Sequence, residues 1–269
     1  MSTIGFIGAG NMAEALIKGV ISGGVYQNND ITASDIRTER LNYLADEYGI
    51  KTTTDNAEVA SKADIMVLST KPQQMNEALE SIKGALSTHK LLISIAAGVK
   101  VDKITAALGD IAVVRVMPNT PALLGEGASA LYANEKAKAR LDEALKIFSA
   151  VGKAVVIEDE GLIDAVTAVS GSGPAYFFLL MEEMKKAGIE LGLPEEVAKD
   201  LVLQTAKGAA LLAAERDKEG ESPAELRRKV TSPGGTTEAA LKIFAEGDFG
   251  PLIQAALKRA CERSKELSG

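Results

Sequence analysis

Residues 3–13 read TIGFIGAGNMA. A short apolar run, Ile4 to Ile7, breaks into Gly8-Ala9-Gly10, and a helix-patterned run opens at Asn11. This order is the first strand, tight turn and helix start of a dinucleotide-binding βαβ unit. Gly8 lets the chain turn sharply, and Gly10 has no side chain to hold a pyrophosphate away from the backbone. The helix start then offers free N–H groups and a positive dipole end to the phosphates. Ala13 takes the third position of the fingerprint, where a small residue allows close helix–strand packing.

Outward from this turn the chain alternates. Ile31 to Ser34, Lys51 to Thr53, Ile65 to Leu68, Leu91 to Ile95, Ala112 to Met117, Ser129 to Tyr132 and Ala154 to Ile157 read as further strands. Helical stripes lie between most of them, at Ala15–Val20, Leu41–Tyr48, Ala57–Ala60, Met75–Ala85, Ile104–Leu108 and Lys136–Val151. Such alternation predicts an α/β fold, an N-terminal doubly wound (Rossmann-type) parallel sheet with right-handed crossovers. Ligands then bind beyond the carboxyl ends of the strands, where Gly8–Gly10, Ser34–Arg37, Ser69–Pro72 and Ala96–Gly98 fall. From about Leu162 only helical periodicity remains, in runs near Ala175–Met184, Pro194–Arg216, Thr237–Ala245 and Pro251–Leu267. The expected division is a dinucleotide-binding domain over 1–161 and a C-terminal all-helical domain over 162–269. Alanines along the second long helix permit close helix–helix approach, and the helical half looks underburied without a partner subunit.

Composition narrows the function classes. The 269 residues are 46% hydrophobic and 25% charged, with a net charge of −7 and no basic tract. That argues against nucleic acid and anionic membrane surfaces, and the apolar runs look too short and interrupted to span a bilayer. A single cysteine, Cys261, and a single histidine, His89, exclude an internal disulfide, a cysteine-rich or histidine-rich metal centre and any histidine-pair catalysis. His89 reads as a solvated turn residue. The start of the chain is already the strand the fold needs, so the expected location is the cytoplasm, without a signal peptide.

Two stretches bear on chemistry. The corner after the second strand carries both Asp35 and Arg37. An acid there suits the ribose hydroxyls of NAD, and an arginine suits the extra phosphate of NADP. The choice stays open, as does the plainer reading of a charged strand-to-helix corner. SGSGPAY, residues 170–176, suggests a nucleophilic serine, yet a nucleophile elbow needs glycine two positions either side of Ser172, where Ser170 and Pro174 stand. In hydroxyacid dehydrogenases of the 6-phosphogluconate type a lysine follows four residues after the last glycine; here that position is Phe177, while Lys185 and Lys186 suit a solvated face. The base for alcohol oxidation is missing, which favours a substrate needing little proton chemistry.

The motifs GFIGAGNM, STKP, ISIAAGV, MPNTP, LIDAVTAVSGSGPAY and VTSPGGTTEAAL, in this order over the whole chain, resemble the pyrroline-5-carboxylate reductase family. The resemblance implies hydride transfer from NADPH or NADH, with NADPH favoured, to the C=N carbon of 1-pyrroline-5-carboxylate, giving L-proline. It implies that Thr237 bonds the ring nitrogen, that N–H groups around Gly234, Gly235 and Thr236 hold the carboxylate, and that Ser172, Gly173 and Pro174 shape the ring pocket. Thr237 also reads as a helix N-cap beside Glu238. Cofactor contacts carry over to Gly8, Ala9, Gly10, Asn11, Met12, Ser34, Asp35, Arg37, Asn56, Ser69, Thr70, Lys71, Pro72, Ala96, Ala97 and Gly98. The family's helical domains interlock into homodimers, often assembled into decamers. Reduction of another small cyclic imine, a hydroxyacid dehydrogenase, or a silent cofactor sensor are the alternatives.

Overall fold

The computed structural model describes residues 2–87 and 89–268. The chain forms two compact units: residues up to Pro174 together with those from Arg259 on, and Ala175–Lys258. The first unit is built on an eight-stranded sheet of β1 (Ile4–Ile7), β2 (Ile31–Ser34), β3 (Lys51–Thr53), β4 (Ile65–Leu68), β5 (Leu91–Ser94), β6 (Ala112–Met117), β7 (Gly127–Ala133) and β8 (Gly152–Val156). Their order is β3-β2-β1-β4-β5-β6-β7-β8. Every residue of β1, β4 and β5 is buried. That is why these strands read as unbroken apolar runs.

Alternation along each strand feeds two core layers. Ile4, Phe6, Ile65 and Val67 pack with Leu16 and Val20 of α1 (Asn11–Ser22), with Leu41 and Leu44 of α2 (Thr38–Tyr48), and with Phe148 of α6 (Leu141–Ser149). Ile7, Met66 and Leu68 pack on the other face. Their partners there include Val59 of α3 (Asn56–Lys62), Leu79 of α4 (Met75–Ile82) and Ile104 of α5 (Val101–Leu108).

One expectation is corrected. β7 runs antiparallel to β6, with Val114 opposite Ala133, so the sheet is parallel only in the main. Residues 118–126 hold just the 3-10 turn Thr120–Leu124. A parallel return needs a crossover of about a dozen residues or more. β8 then pairs parallel with β7, with α6 as the crossover.

After Val156 all regular structure among the described residues is helical. A 3-10 turn (Glu160–Leu162), α7 (Ile163–Val166), a π turn (Thr167–Gly171) and α8 (Gly173–Glu190) run almost without a break. This makes Glu160–Glu190 long and apolar enough, by length and composition, to cross a membrane, contrary to the reading of its apolar runs as too interrupted. The π turn, which no periodicity announces, is what joins them. The expected boundary at 161/162 follows the change to helices, whereas compactness groups residues 162–174 with the sheet. Within that unit the buried Ser264 hydroxyl donates to Asp164 Oδ1 at 2.6 Å.

α9 (Glu195–Asp217), α10 (Pro223–Lys229) and α11 (Thr236–Glu246) follow, and α12 (Phe249–Ser268) ends the described chain. The sequence reading missed α10, although Ser222 and Glu225 form a complete capping box at its start. Among the described residues α9 buries Ala198 alone, and α10 and α11 bury none.

At Gly5 an added Cβ would sit 2.4 Å from Val59 Cγ1 and 2.9 Å from Ala63 Cβ. Gly5→Ala therefore overpacks the β1–α3 contact. Chemical denaturation should show a loss of about 1–3 kcal/mol, and an unchanged stability would refute this packing.

Candidate functional site

The sheet order reverses at β1: the chain pairs β1 with β2 on one side and with β4 on the other. In sheets of this kind ligands bind there, beyond the carboxyl ends of the strands. Gly8 has φ +91°, and a Cβ on it would stand 3.0 Å from Ser69 C, Ser69 O and Thr70 N. The two turns are thus in main-chain contact. Ser69 Oγ donates to Gly8 O at 2.6 Å, and Gly8 N–H donates to Ser34 O at 2.9 Å. Ser34 Oγ donates to Asn56 Oδ1 at 2.7 Å, and Asn56 Nδ2 to Ser81 Oγ at 3.0 Å. Ser34, Asn56 and Ser69 therefore fasten the turns to one another. Thr70 differs: its buried hydroxyl has no partner among the described residues. Lys71 and Pro72 are exposed beside it, ahead of the 3-10 turn Pro72–Gln74. At the end of β5, Ala96 is buried, Ala97 is exposed, and Gly98 (φ +72°) would bring a Cβ to 3.1 Å from Leu267 O.

Gly10 is the N-cap of α1, with φ −71°, ψ −176° and no capping side chain. Any residue adopts that conformation. A Cβ there meets nothing within 4 Å. The first-turn N–H groups, from Asn11 and Met12 onward, have no partner inside the helix. An open cradle, an uncapped helix start and the orphaned Thr70 hydroxyl fit a dinucleotide.

Asp35 and Arg37 are not separate recognition groups. Asp35 Oδ2 accepts from Ala9 N–H at 2.9 Å and Arg37 Nη2 at 3.0 Å, and Oδ1 accepts from Arg37 N–H and Nε, both at 2.9 Å. Burial pushes this carboxyl up, but Arg37 and the two backbone N–H groups outweigh it and bring it from 3.8 down to about 2. The acid is a strut of the glycine turn, and Arg37 remains largely exposed. The sequence reading also missed Arg40, whose Nε donates to Ala9 O at 2.6 Å.

The SGSGP stretch runs from the end of the π turn into the start of α8, and the turn is closed by Ser172 N–H to Thr167 O at 2.8 Å. Asn119, likewise missed, donates through Nδ2 to Ser170 O at 3.1 Å and accepts from Ala128 N–H at 2.8 Å. This holds the stretch against the end of β6. A Cβ on Gly171 would come to 2.5 Å from Met117 Cε, whereas one on buried Gly173 meets nothing within 4 Å. Pro174 follows at the second position of α8. A π turn beside a substituent-free glycine is a frequent mark of a functional site.

In the second unit, Gly235 is the N-cap of α11, which places Thr237 at its second residue and removes the N-cap reading of that threonine. Gly234 N–H (φ +72°) donates to Glu238 Oε2 at 2.7 Å and Gly235 N–H to Ser232 O at 3.0 Å. The open donors of the turn are accordingly the N–H groups of Thr236 and Thr237. A shallow cavity of about 540 Å³ is lined by Gly234, Gly235 and Glu238 among others. Phe177 is exposed, and Lys185 and Lys186 are ion-paired to Glu195 and to Glu182 and Glu183 on the solvated surface.

Asp35 has its folded pKa below its usual 3.8. Its stabilising contribution is complete above that value and is lost as pH falls toward about 2. The stability gap between wild type and Asp35→Asn should be constant from pH 5 upward and narrow steadily as pH falls from 4 toward 2. A gap undiminished at pH 2.5 would refute the strut.

Residues 160–267 match the family model described as pyrroline-5-carboxylate reductase dimerisation, and residues 3–98 match one described as NADP oxidoreductase, coenzyme F420-dependent. A pyrroline-5-carboxylate reductase of Pseudomonas aeruginosa is 51% identical, covering 100% of this chain and 98% of that protein. Among solved structures, a pyrroline-5-carboxylate reductase from Coxiella burnetii superposes with a TM-score of 0.94 at 41% identity, covering 100% and 99% of the two chains. The Plasmodium falciparum pyrroline carboxylate reductase, solved with NADP bound, gives 0.87 at 31% identity, covering 100% and 98%. With a relative this similar over its full length, the chain belongs to the pyrroline-5-carboxylate reductase family.

Proposed function

We propose that this protein reduces 1-pyrroline-5-carboxylate to L-proline, the last step of proline biosynthesis, with NADPH or NADH as the reductant. The observation that carries the cofactor reading is Gly10, a glycine with an ordinary φ and open space where its side chain would be. Nothing inside the chain requires a glycine there. A ligand approaching the backbone does. The substrate reading rests on full-length similarity to proteins named for that imine.

Bound reduced nicotinamide supplies the hydride. The residues of this chain bind and orient. N–H groups from Gly10 to Met12 take the pyrophosphate, with Thr70, Lys71 and the Ala96–Gly98 turn along the rest of the dinucleotide. Arg37 meets the 2′-phosphate of NADPH. Asp35, already holding four donors, offers a ribose little, which supports NADPH. Thr237 Oγ1 accepts from the protonated ring nitrogen, the Thr236 and Thr237 N–H groups hold the carboxylate, and Ser172, Gly173 and Pro174 shape the ring pocket. The helical domain, residues 162–269, closes a homodimer, further assembled into decamers, and the apolar surface of 160–190 faces protein instead of lipid. The match to a dimerisation model supports the dimer. A net charge of −7 with no basic tract supports the absence of a nucleic-acid partner, and a single cysteine suits the cytoplasm.

Purified protein should oxidise NADPH and NADH when given the imine, and inert wild type that binds dinucleotide would sink the substrate reading. Thr237→Ala should lower kcat about 10- to 100-fold, the worth of one hydrogen bond to a charged group. Gly10→Val should keep the apo melting temperature yet raise the dinucleotide Kd by more than about tenfold. Loss of stability without loss of binding would overturn the cradle. Arg37→Ala should raise KM for NADPH selectively; equal change for both cofactors refutes the 2′-phosphate contact.

A further inference from the structure

We infer that Arg40 is a positioning residue for the pyrophosphate, holding the glycine turn by its carbonyls so that the turn's N–H groups face the ligand. The inference rests on the dinucleotide reading above. Arg40 is the third residue of α2, largely buried, and sits 5.2 Å over the Tyr43 ring. Its Nε donates to Ala9 O at 2.6 Å and its Nη2 approaches Gly10 O at 3.4 Å. The same Nη2 pairs with Glu14 Oε2 in the first turn of α1. Glu14 Oε1 in turn accepts from the hydroxyls of Tyr43 and Tyr48, each at 2.9 Å.

A trans peptide is planar, and its C=O and N–H point in opposite directions. Fixing Ala9 O therefore aims the N–H of Gly10, and fixing Gly10 O aims the N–H of Asn11. These are the two donors at the mouth of the turn. Both are directed away from the guanidinium. On the other side of Ala9, Asp35 holds its N–H, so that residue is clamped at both polar groups. Arg40 thus works from behind the turn.

Its charge is also answered locally. Burial raises the Glu14 carboxyl, but bonds from Arg40, Tyr48 and Tyr43 bring it below its usual value, so it stays ionised against the guanidinium at neutral pH. A cation recruited to attract phosphate has no use for such a partner. A fork that must be held still does.

The test is direct titration of the full-length enzyme with NADPH, followed by cofactor fluorescence, beside steady-state KM values and apo melting temperatures. Arg40→Met should raise the NADPH Kd about tenfold or more, with the rise falling on the KM for NADPH and not on that for the imine. Arg40→Lys, which keeps the charge but cannot fork to two carbonyls, should stay weak. Glu14→Ala, which frees the guanidinium, should also weaken binding, and it serves if Arg40→Met fails to fold. Wild-type affinity in Arg40→Lys, or tighter binding in Glu14→Ala, would show simple electrostatic attraction and overturn the clamp. So would an unchanged Kd in Arg40→Met. Wild type that binds no dinucleotide would instead overturn the reading on which the inference rests.

Discussion

Gly8 lies so close to the Ser69–Thr70 main chain that no side chain fits between them. The rest of the nucleotide half follows from that approach. It fixes the carboxyl end of β1 against that of β4 at the one place where the strand order turns back on itself. Ser69 Oγ then reaches Gly8 O, Gly8 N–H reaches Ser34, and Ser34 reaches Asn56, so four turns from four successive crossovers become one rim. The rim is made of backbone and short hydroxyl or amide side chains. Long side chains would close the crevice that ligand binding requires.

β1 and β4 were the most legible strands because a strand covered on both faces has no polar positions to blur it. β1, β2, β3, β4 and β6 fall on the expected residues, and β5, β7 and β8 within one or two. Direction was harder. The apolar pattern of β7 is the same whichever way it runs, and only the short loop after Pro118 reveals that it runs back. At the site, Gly8 could be read because its positive φ and its close approach to Ser69 and Thr70 are a backbone requirement written into one residue. For Asp35 and Arg37 a sequence shows two charged neighbours but not that they pair, with Arg37 still largely exposed. Arg40 and Asn119 were hidden for a related reason. Each acts on a carbonyl or N–H many residues away, and a backbone group leaves no mark in a sequence.

The helical half sets a different limit. Phe177, Phe178, Leu201, Leu211 and Ile243 are exposed in the single chain, and α9 buries just Ala198 among its described residues. A monomer leaving so many large apolar side chains in water forfeits the hydrophobic term that offsets the ordering of its chain. Periodicity could reveal the apolar stripes of these helices. It could not say what covers them, because a stripe facing the same chain and one facing a second copy are spelled alike. The family model matched over 160–267, a dimerisation region, accounts for the surplus.

The poverty of proton-transferring side chains has a chemical counterpart. His89 is exposed on a loop, with its carbonyl held by Arg140. Lys185 and Lys186 are tied to glutamates, and Phe177 stands where a dehydrogenase would place its lysine. An alcohol cannot give up hydride unless its hydroxyl proton leaves, so such an arrangement would stall an alcohol dehydrogenase. A protonated imine has no such need. Hydride adds to carbon, the π electrons become the nitrogen lone pair, and the neutral amine takes its next proton from water after the step is over. What remains for the protein is to hold two reactants in line and keep water from between them. Glycine turns, uncapped helix starts and fixed N–H groups are suited to that work, and they are what this chain places at the ends of its strands.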